Sequence, residues 1–228
     1  MGAIKLGVLG GSFNPIHLGH LHIARSAREA FGLSRVLFVV ATVPPHKPPG
    51  DLIPFAHRYA MVSLATSGCE GFLPSLVEME PPASPYTVET LAKLAHTFGV
   101  TGKDLYFIAG GDSLRDVAGW YDSEALLMSY NFVFVMRPGV QALDARVVLT
   151  PAVAPHVVDF RGVDAAGIRR RIGAECETEA CRIFLIDAGA PDIAASKLRK
   201  MASLGLSIEP MVPAAVHEYI VKLHLYGE

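Results

Sequence analysis

Several signatures of secreted and nucleic-acid-binding proteins are scarce in this sequence. Only three cysteines occur among 228 residues, at positions 69, 176 and 181. Their number is odd and none forms a C-x-x-C pair, which argues against a disulfide framework and favours free thiols in a reducing cytosol. The formal net charge is −2, from 20 basic and 22 acidic residues, so no global basic field points to nucleic acid as a partner.

Long hydrophobic runs are also missing, although 51% of the residues are hydrophobic. No apolar run reaches the ~18 residues that span a bilayer. The first residues do not show a charged region followed by a long apolar stretch, so we expect no signal peptide. We therefore expect a cytoplasmic protein with no membrane partner, whose apolar residues form a buried parallel sheet.

The common phosphate-binding motifs are absent as well. The pattern G-x-G-x-x-G would require glycine at position 12, where Ser12 stands, and G-x-x-x-x-G-K-[ST] does not occur. A nucleotide site in this chain must therefore be built differently.

Short apolar runs alternate with helical patterns along the chain, which predicts βαβ units and a parallel sheet of the α/β class. The chain is expected to form a single domain over 1–228, with a variable excursion at 140–180 and a C-terminal helical part at 190–228. Ligands of such sheets bind at the carboxyl ends of the strands. The predicted strands are Ile4–Leu9, Val36–Ala41, Leu105–Ala109, Asn131–Met136 and Ile183–Asp187. The predicted helices are His20–Phe31, Phe55–Ala65, Val88–Phe98, Ser196–Leu204 and Pro213–Leu225.

The segment from Gly10 to His20 follows the first predicted strand and opens the first helix. Its glycines allow a sharp turn and close approach of a phosphate, and a helix N-terminus supplies free N–H groups. His17 and His20 lie three residues apart, so they share one face of the first helical turn. Together these features predict a polyphosphate site. A zinc site is excluded because third and fourth ligands are missing nearby.

The run from Gly11 to His20 closely resembles the signature of the H-x-G-H nucleotidyltransferase superfamily. The resemblance implies a Rossmann-like, doubly wound parallel sheet with helices on both faces, which joins ATP or CTP to a phosphate-bearing partner. Within the superfamily, the chain resembles the bacterial nicotinate-nucleotide adenylyltransferases. These enzymes make nicotinate adenine dinucleotide and pyrophosphate from ATP and nicotinate mononucleotide in NAD biosynthesis.

Further segments resemble the same enzymes. Lys47, in a proline-flanked loop, is a point charge suited to a phosphate. Thr87 is predicted to cap the helix that follows, whose free N–H groups would favour the nicotinate carboxylate over a neutral amide. Asp112 is either a helix cap or an acceptor for ribose hydroxyls, and Trp120 either packs in the core or stacks on the pyridine ring. Arg137, in an Arg-Pro-Gly run, is expected to reach the mononucleotide.

The resemblance implies three sets of site residues. Those expected to contact ATP are Gly10, Gly11, Ser12, Phe13, His17, Gly19, His20, Gly110, Asp112, Ser196 and Arg199. Those expected to contact the mononucleotide are Asn14, Lys47, Tyr86, Thr87, Asp112, Leu114, Trp120 and Arg137. Those expected to promote the reaction are His17, His20, Lys47 and Arg199.

The last motif departs from the family pattern I-S-S-T-x-[IL]-R. Ser196 and Arg199 occupy the threonine and arginine positions, but Ala194 and Ala195 replace the two serines. Losing one hydrogen bond to a charged group costs about 1.5–3 kcal/mol, so weaker or altered ATP binding is expected, but not an inactive enzyme.

The expected reaction is in-line attack of the mononucleotide phosphate on the α-phosphorus of ATP. No protein base is needed, and Mg²⁺ should arrive with ATP without a dedicated protein site. The sequence leaves open a related transferase acting on nicotinamide mononucleotide or phosphopantetheine, and also a nucleotide-binding regulator of low activity. It also leaves homo-oligomerisation open.

Overall fold

The computed structural model describes residues 4–42, 52–136, 145–176, 180–187, 189 and 191–227, with the backbone alone for 173–176. Within these ranges a single seven-stranded sheet has the order β3-β2-β1-β4-β5-β7-β6, and its six strand pairings are all parallel. The strands are β1 Leu6–Gly11, β2 Arg35–Val40, β3 Phe72–Ser75, β4 Leu105–Gly110, β5 Asn131–Met136, β6 Val157–Asp159 and β7 Ile183–Asp187.

The α-helices cover both faces of this sheet. They are α1 Leu18–Phe31, α2 Phe55–Thr66, α3 Thr87–Phe98, α4 Ser113–Asp116, α5 Ser123–Ser129, α6 Ala145–Val148, α7 Ala165–Cys176, α8 Ala195–Ser203 and α9 Ala214–Lys222. Alternate strand residues enter two hydrophobic clusters, so that Val36 and Phe38 face one layer of helices while Leu37 and Val39 face the other. The predicted α/β class, doubly wound sheet and C-terminal helical part are confirmed.

The five predicted strands are all present, with ends that differ by up to two residues. The strands β3 and β6 were not predicted from the sequence. Both are short strands at the two edges of the sheet, and β3 contains Pro74, which is tolerated at an edge. Residues 140–180, which show little pattern in the sequence, contribute β6 and α7, and Ile168 and Ile172 of α7 are buried in the same cluster as α1.

No helix within the described ranges is both long and apolar enough to cross a membrane.

Candidate active site

A cavity of about 680 Å³ opens at the carboxyl ends of β1, β2 and β4. The chain runs from β1 to β2 on one side and from β4 to β5 on the other, so β1 and β4 flank the point where the strand order reverses, which is where such sheets bind ligands. Predicted residues that line this cavity are Gly10, Gly11, Ser12, His20, Tyr86, Thr87, Gly110, Asp112 and Trp120.

The turn between β1 and α1 is shaped by Phe13. Its backbone lies in the left-handed region, at φ 46°, and its ring is buried in the core. A Cβ at Gly11 would lie 3.1 Å from that ring, which is tighter than most such contacts, so glycine eases the packing of the ring at this position. Phe13 was predicted to contact ATP, but its side chain instead supports the cavity wall, since it meets the His20 ring edge-on at 5.1 Å.

The two imidazoles of the motif are stacked, with ring centroids 3.7 Å apart. His20 lines the cavity, whereas His17 is only 4% exposed and lies behind it. A Cβ at Gly19 would come within 3.0 Å of His17 Nδ1, so glycine makes room for the inner ring. The backbone N–H of His17 donates to Nδ1 of His20 at 3.2 Å. A neutral His20 therefore carries its proton on Nε2, which gives the ring a donor suited to a phosphate oxygen.

Asn14 and Arg199 are joined on the far side of the same turn. Arg199 Nη1 donates to the Asn14 carbonyl at 3.0 Å, and the phenol of Tyr226 donates to Asn14 Oδ1 at 2.9 Å. Asn14 is only 1% exposed and does not line the cavity, so the structure places it inside the turn. Arg199 thus links α8 to the first motif. The resemblance implies that Arg199 contacts ATP, but it does not imply this contact with Asn14.

The N-terminus of α8 keeps its backbone groups although the family serines are missing. Ala194 is the N-cap residue and makes no side-chain cap hydrogen bond, while Ala195 begins the helix. Ser196 is exposed in the first turn and does not line the 680 Å³ cavity. The described structure therefore connects this helix to the site through Arg199.

Arg58 is a buried charged side chain beside the site, at 2% exposure. Its guanidinium donates to the carbonyls of Ser12, Ala41 and Thr42 at 2.9, 2.7 and 3.3 Å, and to that of Ile53 at 3.1 Å. It therefore ties the loop after β1 to the loop after β2. Burial lowers the pKa of Arg58, but a guanidinium stays protonated in proteins, so the group remains charged.

The aromatic end of the cavity contains Tyr86, Trp120 and Tyr121. The rings of Tyr86 and Tyr121 stack at 4.3 Å, and both are exposed at the mouth. Trp120 and Phe107 make an edge-to-face contact at 5.8 Å, so the indole is anchored against the core. Tyr121 was not predicted, although it follows Trp120 directly.

Two predictions about this end need correction. The N-cap of α3 is Tyr86, and Thr87 is the first helical residue. The helix begins there because the Tyr86 carbonyl already accepts from Glu89 and Thr90. The side chain of Leu114 is fully buried in the core and cannot line the cavity.

Asp112 stands at the N-cap position of α4 but makes no side-chain cap hydrogen bond, and it lines the cavity. Lys47 and Arg137 lie outside the described residues.

Glu78 is a carboxylate in the cavity wall that the sequence does not reveal. Its Oε2 accepts from the backbone N–H of Thr42 at 3.0 Å. Burial raises its pKa, against the lowering effects of the Thr42 hydrogen bonds and of the charges on Arg58 and Lys93. Glu78 and Arg58 therefore hold Thr42 from two sides.

Compared with the wild type, the Glu78→Gln variant should become more stable to unfolding as pH rises. A raised folded-state pKa contributes stability below the unfolded pKa, and this contribution is lost as pH rises through the folded pKa. Glutamine can still accept from Thr42 but does not ionise. Urea unfolding from about pH 4 to about pH 8 should therefore show that the free energy of unfolding of the variant rises relative to that of the wild type. A difference that does not grow with pH, as expected for the exposed control Glu70→Gln, would contradict this.

Comparison with known proteins places this site in a family. Residues 8–200 match the family model described as cytidylyltransferase-like, which makes the chain a nucleotidyltransferase-fold protein. A probable nicotinate-nucleotide adenylyltransferase of Geobacter sulfurreducens is 37% identical, covering 98% of this chain and 99% of the relative. Another, from Thermus thermophilus, is 41% identical over 74% of this chain and 87% of the relative. The chain belongs to the cytidylyltransferase-like family and, within it, to the nicotinate-nucleotide adenylyltransferases.

Solved structures share the fold. Plasmodium falciparum nicotinic acid mononucleotide adenylyltransferase complexed with NaAD has a TM-score of 0.69 and 18% identity, over 98% of both chains. The same enzyme complexed with APC has a TM-score of 0.67 and 17% identity, again over 98% of both chains.

Proposed function

We propose that this protein transfers the adenylyl group of ATP to the phosphate of nicotinate mononucleotide, giving nicotinate adenine dinucleotide and pyrophosphate. The observation that carries the proposal is a single cavity with two chemically different ends. One end is lined by the glycine turn and the His20 ring, and the other is lined by Thr87, Trp120 and Tyr121. The relatives named for this activity, at 37% and 41% identity, support it.

The glycine turn and His20 suit the triphosphate. Because Gly10 and Gly11 have no side chains, phosphate oxygens can approach the backbone at the end of β1. The Nε2–H of His20 is a donor for charge that grows as the bond between the α-phosphorus and its bridging oxygen to the β-phosphate breaks. His17 would act through His20, on which it stacks.

The aromatic end suits nicotinate mononucleotide. Trp120 and Tyr121 offer ring faces to a pyridine, and α3 begins with Thr87 at the cavity wall. The first N–H groups of this 12-residue helix lack partners within the helix and carry a partial positive charge. A carboxylate gains more there than a neutral carboxamide, which favours the acid form of the substrate.

The transfer needs no protein base, because the attacking phosphate oxygen is already an anion. Its new bond to the α-phosphorus forms opposite the bond that releases pyrophosphate. Arg199 would supply positive charge near the turn, while Lys47 remains a prediction for a phosphate contact and Arg137 for a contact with the mononucleotide. The described residues include no group of three or more His, Cys, Asp or Glu side chains suited to a metal ion. We propose that Mg²⁺ enters bound to ATP and is held mainly by phosphate oxygens.

Because both substrates are charged metabolites retained inside cells, we also propose a cytoplasmic location.

Pyrophosphate release from ATP should be measured with nicotinate mononucleotide, nicotinamide mononucleotide and phosphopantetheine. We expect kcat/KM for the acid to exceed that for the amide by about tenfold or more, which corresponds to about 1.4 kcal/mol. Trp120 is the only tryptophan in the sequence, so its fluorescence reports binding separately from turnover. Preference for phosphopantetheine would contradict the proposal, and binding of both substrates without turnover would indicate a regulator.

A further inference from the structure

The turn between β1 and α1 is held by side chains from three distant parts of the chain. Arg58 Nη1 donates to the Ser12 carbonyl at 2.9 Å, and Arg199 Nη1 donates to the Asn14 carbonyl at 3.0 Å. The third contact, from Tyr226 to Asn14 Oδ1 at 2.9 Å, spans 212 residues. It comes from the segment that follows α9.

That C-terminal segment has a specific conformation. His224 and Tyr226 both adopt left-handed backbone angles, with φ of 49° and 68°. Such angles are unfavourable for residues with a Cβ, so tertiary contacts must hold the segment in place. Leu225 donates its N–H to the Ile220 carbonyl at 3.0 Å, and Leu225 and Tyr226 pack against the hydrophobic core. The segment is therefore docked, and its phenol has a defined position.

The chemistry of the Tyr226 phenol suits a permanent donor. Burial raises its pKa well above the usual value, although the nearby charges of Arg199 and Arg58 oppose this shift. The group therefore stays protonated throughout the physiological range. Asn14 is only 1% exposed, so water has little access to replace the phenol at Oδ1.

We propose that Tyr226 is a positioning residue for nucleotidyl transfer. Its phenol fixes the Asn14 side chain, and through it the backbone of the turn that carries Ser12 at the cavity and leads into His17 and His20. This inference rests on the proposed function. A turn that relaxes would misalign its backbone donors and His20 with the triphosphate, while the aromatic end of the cavity, which Tyr226 does not contact, would stay in place.

The test compares Tyr226→Phe with a matched control, Tyr219→Phe. The control also loses a phenol hydrogen bond of 2.9 Å near the C-terminus, but its partner is His57 of α2, away from the turn. Phenylalanine keeps the ring and its packing, so both variants should fold. We expect kcat to fall about tenfold for Tyr226→Phe, with KM for nicotinate mononucleotide within about twofold of wild type. Tyr219→Phe should keep wild-type kcat despite a similar loss of thermal stability.

A double-mutant cycle with Asn14→Ala tests whether Tyr226 acts through Asn14. In the Asn14→Ala background, Tyr226→Phe should lower kcat by no more than about twofold. Equal losses in both backgrounds, a wild-type kcat for Tyr226→Phe, or the same kcat loss in Tyr219→Phe would overturn the inference. Should Asn14→Ala not fold, the two Tyr→Phe variants decide alone.

Failure of the proposed function gives a different result. If the wild type makes no dinucleotide from nicotinate mononucleotide, that function fails, and affinity for a nonhydrolysable ATP analogue becomes the readout. Calorimetry should then show weaker binding for Tyr226→Phe than for Tyr219→Phe. Equal affinities would overturn the positioning role.

Discussion

Replacing His20 with alanine should lower kcat for adenylyl transfer by a factor on the order of 10² or more. The ring lines the cavity, and the N–H of His17 holds its Nδ1 so that Nε2 carries the proton. Alanine removes this donor and also the ring that packs against Phe13 and His17. Initial rates of dinucleotide formation, with the product separated by chromatography, measure the effect.

The matched control is His96→Ala, which removes an exposed imidazole from the last turn of α3. It should leave kcat unchanged. If His20→Ala keeps kcat within about threefold of wild type while folding normally, His20 does not stabilise the transition state.

Arg58→Leu should lower the free energy of unfolding by about 3 kcal/mol or more. The substitution removes the donor to the carbonyls of Ser12, Ala41 and Thr42, all of which accept from the buried guanidinium. Buried polar groups without partners are costly, and leucine offers no donor. Because the loops after β1 and β2 lose their shared tie, kcat/KM should fall as well. Urea unfolding and steady-state kinetics measure the two effects.

Arg25→Leu is the matched control, since Arg25 is exposed on α1. Its stability should stay within about 0.5 kcal/mol of wild type. Arg58→Lys should recover only part of the loss, because an ammonium group lacks the planar fork that reaches several carbonyls at once. A loss below about 1 kcal/mol for Arg58→Leu would mean that the tie contributes little.

Local patterns account for what the sequence predicts well. The end of the first strand, the glycine turn and the helix start lie within the eleven consecutive residues Gly10–His20, and Gly10, Gly11, Ser12 and His20 line the cavity. The short edge strands β3 and β6 were missed because four and three residues carry too little periodicity. The start of α3 was misplaced by one residue, since a favourable cap residue does not fix which carbonyl begins the helix.

Contacts between distant residues account for what the sequence does not predict. Tyr226 reaches Asn14 across 212 residues, and no local pattern marks Tyr226 or predicts that bond. Glu78 and Arg58 meet Thr42 only because two loops and helix α2 converge at one edge of the sheet. Tyr121 could have been predicted as a site residue, because its neighbour Trp120 already indicated an aromatic surface. The burial of Leu114 and Phe13 shows that residues inside a binding motif also build the core.

The central claim, that the adenylyl group itself moves, is tested most directly by following labelled phosphates. The protein should be incubated with nicotinate mononucleotide and ATP labelled at either the α- or the γ-phosphate. We predict that the α label enters the dinucleotide and the γ label appears in pyrophosphate. Transfer of the γ label to the mononucleotide, or release of the α label as ADP or AMP without a dinucleotide, would contradict the account.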